Sequence, residues 1–250
     1  MRETMDEAGG VALVAGAGGG IGAAVVEALL GDPGVAAVYA ASRSQAPPAR
    51  LAGESRLHWQ CCDNSPAAIK RVVGLATQGG RPLVRVVICN GMLHNERCAP
   101  EKALEQVDPA CLQESFAANA VVPMLWVQGV ARTLSRRQPC VIAVLSARVG
   151  SINDNRLGGW YSYRSSKAAL NMLLRSAAIE LARRAPATKL LAFHPGTTDT
   201  PLSKPFQSSV PEGKLFSPDF VAGRLLGIMR SVEPDGELAY LDWEGKSIEW

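Results

Sequence analysis

The chain is short of several features whose absence narrows what it can be. No apolar run approaches the roughly 20 residues a helix needs to cross a bilayer. Neither sign of charge dominates: 26 Lys and Arg stand against 23 Asp and Glu, a net of +3. That balance is too mild to point to nucleic acid or an anionic membrane as partner. Histidine is scarce, and His58, His94 and His194 have no metal-ligand spacing. The cysteines at 61, 62, 89, 98, 111 and 140 include no C-x-x-C pair. They are expected to be reduced, buried or idle thiols of a cytoplasmic protein, with Cys89 and Cys140 acting as small hydrophobes in strand-like runs. The start, Met1 to Glu7, has three acids and no basic stretch, and Val11 to Ala15 runs straight into glycines. No cleaved signal peptide is expected. No repeat, low-complexity tract or linker divides the chain.

What is present reads as a globular protein. Apolar residues are 47% and charged residues 20%, which excludes disorder. A length of 250 residues fits one large domain, 1–250, able to bury a core without staples. Seven short apolar runs fall at 11–15, 35–41, 56–62, 83–89, 140–145, 189–193 and 237–241. Several are nearly continuous in Val, Ile, Leu and Ala, as in parallel strands covered on both faces. Helical spacing or helix-start signals fill the gaps, at 21–30, from Pro66 to about Ala76, at 108–134, at 160–184, and from Pro218 to about Arg230. This alternation predicts a Rossmann-type α/β fold: a doubly wound parallel sheet of about seven strands between helical layers, a three-layer αβα sandwich. The stretch 197–216, rich in Pro, Ser and Thr, lacks periodicity and reads as a mobile substrate loop.

Residues 11–22, VALVAGAGGGIG, place Gly16, Gly20 and Gly22 between a strand and a helix. Glycine permits a tight turn and lets the backbone approach a pyrophosphate, which the helix N-terminus attracts. No Lys-Ser/Thr follows, so this is not an NTPase P-loop. About twenty residues on, Ser42-Arg43 closes the second strand. An acid there would suit the ribose hydroxyls of NAD; an Arg beside a hydroxyl suits the 2′-phosphate of NADP. Tyr163 and Lys167 lie four apart near the start of an apolar helix, hence on one face. A nearby ammonium favours the phenolate and lowers the phenol pKa, giving an acid and base usable near neutral pH. The competing Tyr161 has Ser165 four residues on. Asn119 lies four residues before Pro123. Proline has no N–H, so the Asn119 carbonyl is left free and the helix should bend.

Together these motifs resemble the short-chain dehydrogenase/reductase family over almost the whole chain. GAGGGIG is similar to its cofactor loop, with Ala15 where Thr is usual. Asp63 resembles its adenine-contacting Asp, and Asn90-Gly91 its N-N-A-G segment. Tyr163 and Lys167 match Y-x-x-x-K, and Pro195-Gly196 through Thr200 match P-G-x-x-x-T. SARVGSI and Asp242-Trp243-Glu244-Gly245 look closest to the C-factor-like carbonyl reductase branch. The resemblance implies NADP(H) held by Gly16, Gly18, Gly20, Ile21, Gly22, Ser42, Arg43, Asp63, Asn90, Gly91, Tyr163, Lys167, Pro195, Gly196, Thr198 and Thr200. It implies catalysis by Tyr163 and Lys167, with the Asn119 carbonyl holding a water in a proton relay. One departure stands out. The family's catalytic Ser falls on Ala147. Ser146 comes one residue early and would face the other way on a regular strand; a shifted strand end, or Ser151, could supply the hydroxyl instead. Ser146 is taken as the third catalytic residue.

Two functions fit this reading. One is an NADP-dependent reductase of small, partly apolar carbonyl compounds. The other is a non-catalytic nucleotide-binding or signalling protein on the same fold. The helices at 108–134 and 160–184 are apolar over more than one stripe. A homo-oligomer, dimer or tetramer, is expected to form through their outer faces, with Ala178 on that surface.

Overall fold

A computed structural model describes residues 9–250. Met1 to Glu7, the stretch whose acids argue against a signal peptide, lies outside the described residues. The strands are β1 (Gly10–Ala15), β2 (Val35–Ser42), β3 (Leu57–Cys61), β4 (Leu83–Ile88), β5 (Cys140–Leu145), β6 (Thr188–His194), the two-residue β7 (Thr197–Thr198) and β8 (Leu215–Phe216), and β9 (Leu238–Asp242). The helices are α1 (Gly20–Leu30), α2 (Pro66–Thr77), α3 (Pro109–Phe116), α4 (Val122–Ala131), α5 (Tyr161–Arg184) and α6 (Pro218–Ser231). Seven strands pair in parallel in the order β3-β2-β1-β4-β5-β6-β9.

The central strands are apolar on both sides, as strands of a parallel sheet covered by helices must be. Every residue of β1 and β5 is buried. Val11, Leu13, Ile142 and Val144 join a core with α2, α4 and α5. Ala12, Val14, Val141 and Ala143 join a second core with α1 and α6. Side-chain caps start three helices, each followed by proline: Ser65 for α2, Asp108 for α3 and Ser217 for α6. The chain winds outward from β1 in one direction and from β4 in the other. Their C-terminal ends therefore open a crevice at the point where the winding reverses.

Four expectations change. The segment 108–134 is two α-helices joined by a π-helical turn, Ala117–Val121, which is how the helix passes Pro123. The 197–216 segment is not structureless: β7 pairs with β8, a 3₁₀ run spans Lys204–Ser209, and the Ser203 hydroxyl donates to the Thr198 carbonyl at 2.5 Å. The cysteines are not all free. Cys98, on the loop after β4, is bonded to Cys111 in α3, with Cα atoms 5.5 Å apart. The loop folds back onto the helix, a proximity that a separation of 13 residues does not signal. Ala178 is not on the outer face of α5. It is 4% exposed and packs in the core with Leu170, Leu174 and Leu181. The outer face carries Met172, Leu173 and Ile179, and Val121 is exposed beside α4.

Candidate active site

One cavity of about 750 Å³ fills the crevice. Gly16, Gly18, Gly20, Ile21, Gly22 and Arg43 line one end; Tyr163, Lys167, Ser146 and Ala147 line the other, and the turn from Pro195 runs back to Thr200 beside Gly20. Asn90 and Gly91 lie between. The glycines are required by geometry. Gly16 adopts φ +76°, and a Cβ on Gly22 would stand 2.3 Å from the Gly16 carbonyl oxygen. A Cβ on Gly18 would stand 2.4 Å from Ser42 Oγ. Ser42 thus buttresses the loop from behind rather than lining the cavity. The Arg43 guanidinium is exposed at the cavity and makes no ion pair among the described residues. Asp63 does not line the cavity. Its carboxylate accepts the Ser65 N–H at 2.9 Å, and that bond holds its pKa below the usual carboxylate value.

At the other end, α5 carries Tyr163 and Lys167 on one face, as their spacing predicts. Tyr161 is turned outward. The predicted pKa lowering of the phenol is not found. Burial, with a smaller contribution from Tyr240, pushes the Tyr163 pKa up. Lys167 Nζ lies 5.9 Å from the Tyr163 ring centroid and donates to the Leu145 carbonyl at 2.8 Å. At that separation its charge does not offset the loss of water around the phenol. Burial also brings the Lys167 pKa down to about 8.

Asn119 is fully buried and works through its side chain. It accepts the Met92 N–H at 2.7 Å and donates to the Met92 carbonyl at 2.8 Å and to Ser166 Oγ at 3.1 Å. It thereby pins the loop after β4 to α5. Ser146 does face away, as strand alternation required. Its hydroxyl donates to Asn171 Oδ1 at 2.7 Å, in the interior. Ser151 Oγ is also occupied, accepting the Asp154 N–H at 3.0 Å. Ala147 presents only a methyl group to the cavity.

Three features were not legible beforehand. Trp160 stands in the left-handed region, φ 52° and ψ 41°, just before α5. The Glu101 carbonyl accepts its N–H, and the buried Glu101 carboxylate accepts the Ser162 N–H and hydroxyl, fixing the helix start. Trp160 packs at a tilt against Phe206 of the 3₁₀ run, 5.3 Å between centroids, and edge-on to Tyr163 at 6.3 Å. These rings form an apolar wall beside the phenol. Gly158-Gly159, both at positive φ, were the one local hint of the unusual turn. His194 also lines the cavity.

The profile of the short chain dehydrogenase family matches residues 10–210, with these motifs inside it. The chain belongs to the short chain dehydrogenase family. C-signal of Myxococcus xanthus is 32% identical over 148 residues, 59% of this chain and 84% of that protein. The 1-hydroxy-2-glutathionyl-2-methyl-3-butene dehydrogenase of Rhodococcus sp. (strain AD45) is 28% identical over 58% of this chain, and that match spans 61% of the relative. The NADPH-bound carbonyl reductase from chicken fatty liver superposes with a TM-score of 0.82 at 25% identity, covering 98% of this chain and 96% of that one. Short chain dehydrogenases are oxidoreductases, and the glycine cradle and buried Tyr–Lys pair fit a nicotinamide dinucleotide. Asn90 Oδ1, buried and without a partner, adds an unused acceptor between the two ends. No helix among the described residues is long and apolar enough to cross a membrane.

Proposed function

We propose that the protein is an NADP-dependent reductase acting on a small carbonyl compound. The observation that carries this reading is that Arg43 and the Tyr163–Lys167 pair share one cavity. Gly16, Gly18, Gly20 and Gly22 would offer backbone N–H groups to the pyrophosphate, and Arg43 would pair with the 2′-phosphate. When bound, the nicotinamide supplies the hydride. Tyr163 holds a proton at its hydroxyl, and burial keeps it there at neutral pH, so the group is loaded as the acid while the phenolate left by donation to a carbonyl oxygen needs stabilising. Lys167 stabilises negative charge that develops on the phenol as the proton leaves. Asn119 orders the loop and helix around Lys167, and its carbonyl, to which Pro123 can offer no N–H, would suit a relay water. Trp160, Phe206 and Leu93 suit a substrate with an apolar body.

One observation favours a second reading. Neither Ser146 nor Ala147 brings a free hydroxyl to the cavity, so the protein could bind the nucleotide without turning over. NADPH oxidation over a panel of aldehydes, ketones and quinones decides, alongside NADPH binding by fluorescence. Turnover of any one supports the reductase; tight binding with turnover of none supports the second reading.

We further propose a cytoplasmic homodimer, or a tetramer built on it, through Met172, Leu173, Ile179 and Val121. A reducing cytoplasm would open the Cys98–Cys111 bond, whose loop Asn119 still anchors.

A further inference from the structure

We propose that His194 donates a hydrogen bond from Nε2 to the substrate carbonyl oxygen, the service that neither Ser146 nor Ala147 can give. The inference rests on the reductase reading above. His194 ends β6, beside the end of β5, where the Ser146 N–H donates to the Phe193 carbonyl at 2.8 Å. His194 lines the same cavity as Tyr163 and Ala147. The other candidate hydroxyls do not serve: Ser146 donates to Asn171, and Ser151 does not line the cavity.

The tautomer follows from the surroundings. Nδ1 is sealed from solvent and has no partner. The carboxylate that acts on this ring, Asp242, is already committed. Its Oδ1 accepts the Glu244 and Lys246 N–H groups, and its Oδ2 accepts Arg148 Nη2 at 2.9 Å. A buried N–H with no acceptor is costlier than a buried lone pair with no donor. The neutral ring therefore carries its proton on Nε2, the nitrogen that no protein group claims and that is not sealed as Nδ1 is. Burial, then the Arg148 charge, brings the pKa down to about 4, so the ring stays neutral at ordinary pH.

The chemistry balances without moving a proton through His194. The C=O double bond becomes C–H and O–H. The hydride of NADPH forms the C–H bond, the Tyr163 proton forms the O–H bond, and NADPH leaves as NADP⁺. His194 only stabilises charge on the oxygen while it is greatest.

Three variants and one spectrum test this. His194→Leu should lower kcat/KM for a carbonyl that the wild type reduces by about tenfold or more, with NADPH affinity unchanged by fluorescence. His194→Gln, which can place an N–H near the Nε2 position, should recover most of the rate. Ala147→Ser in the His194→Leu background should recover it by another route. Equal kcat/KM in wild type and His194→Leu would overturn the proposal, as would a Gln variant as slow as the Leu variant with the same NADPH affinity. Should His194→Leu fail to fold, ¹⁵N-histidine NMR of the wild type decides. An Nε2–H tautomer whose signal shifts when the carbonyl's alcohol product and NADP⁺ are added supports the proposal; an Nδ1–H tautomer, or no shift, overturns it. Wild type that binds NADPH and reduces no carbonyl would sink the reductase reading itself, a different outcome from turnover that ignores His194.

Discussion

The two ends of the cavity are built by different means. The nucleotide end is backbone: glycines, a strand terminus and the first turn of α1, with one guanidinium at the rim. The substrate end is side chains: Tyr163 and Lys167 from α5, a tryptophan in a left-handed turn, an aromatic from the 197–216 segment, and strand ends from β5 and β6. At Gly16 and Gly22 the cradle tolerates no added atom, because the neighbouring atoms are themselves main chain. Side-chain sites tolerate exchange when another group can reach the same point. The first end should therefore fail abruptly on substitution, and the second should degrade by function, residue by residue.

The sharpest break is expected at Gly22. A Cβ there meets the Gly16 carbonyl at 2.3 Å and main-chain atoms of Ala17 and Gly16 at 3.0 Å. Nothing flexible can yield. Gly22→Ala should weaken NADPH by about a hundredfold or more, or cost roughly 2–4 kcal/mol of stability if α1 shifts instead. Fluorescence titration and urea melts separate the two. A variant with wild-type affinity and stability would refute the claim that the nucleotide end is rigid.

Tyr163→Phe comes next. It removes one hydroxyl and should reduce kcat by about 10²–10⁴-fold, with NADPH affinity and melting temperature nearly unchanged. Loss of nucleotide affinity instead would show that the two ends are not separable. Arg43→Asp should act in the opposite way, weakening NADPH by about 10- to 100-fold, with little change in NADH affinity or in kcat at saturation. If the wild type binds NADH as tightly as NADPH, Arg43 does not hold a phosphate.

The same contrast decides what could be read from residue order alone. The sheet was legible because its central runs are apolar on both faces, and the residue types at 11–15 and 140–145 leave no alternative to burial. The nucleotide end was legible because only glycine serves where main chain meets main chain. The Tyr163–Lys167 pair was legible from a spacing of four. The substrate end was less so. The sequence could place Ser146 on the wrong face of β5, but could not name Asn171, 25 residues away, as its partner. Nothing local marks Glu101 as the cap of α5, 61 residues on, or Cys98 as the neighbour of Cys111. The phenol pKa was misread for a related reason. The spacing gives the cation, but only the packing gives the desolvation that outweighs it.

The smallest expected effect tests how dry the substrate end is. In an unfolded chain His194 would titrate near 6.5; in the native protein, burial first and Arg148 second hold it down to about 4, against the pull of Asp242. Between those values the unfolded chain takes up a proton that the native protein refuses. Stability must therefore fall as pH drops from 6.5 toward 4, and this group contributes no slope above that window. Lys167, brought down to about 8 from 10.5, works with the same sign at the other end: its burial costs most below pH 8, and the cost is relieved as pH rises toward 10.5. His194→Gln has no proton to take up. Its loss of stability between pH 7 and 4.5, from urea melts, should be smaller than the wild type's by about 2 kcal/mol. An identical acid slope in both proteins would mean that His194 titrates as if in water. The ring would then be charged at mild acidity and not confined to one tautomer, and the wall beside Tyr163 would be wet rather than sealed.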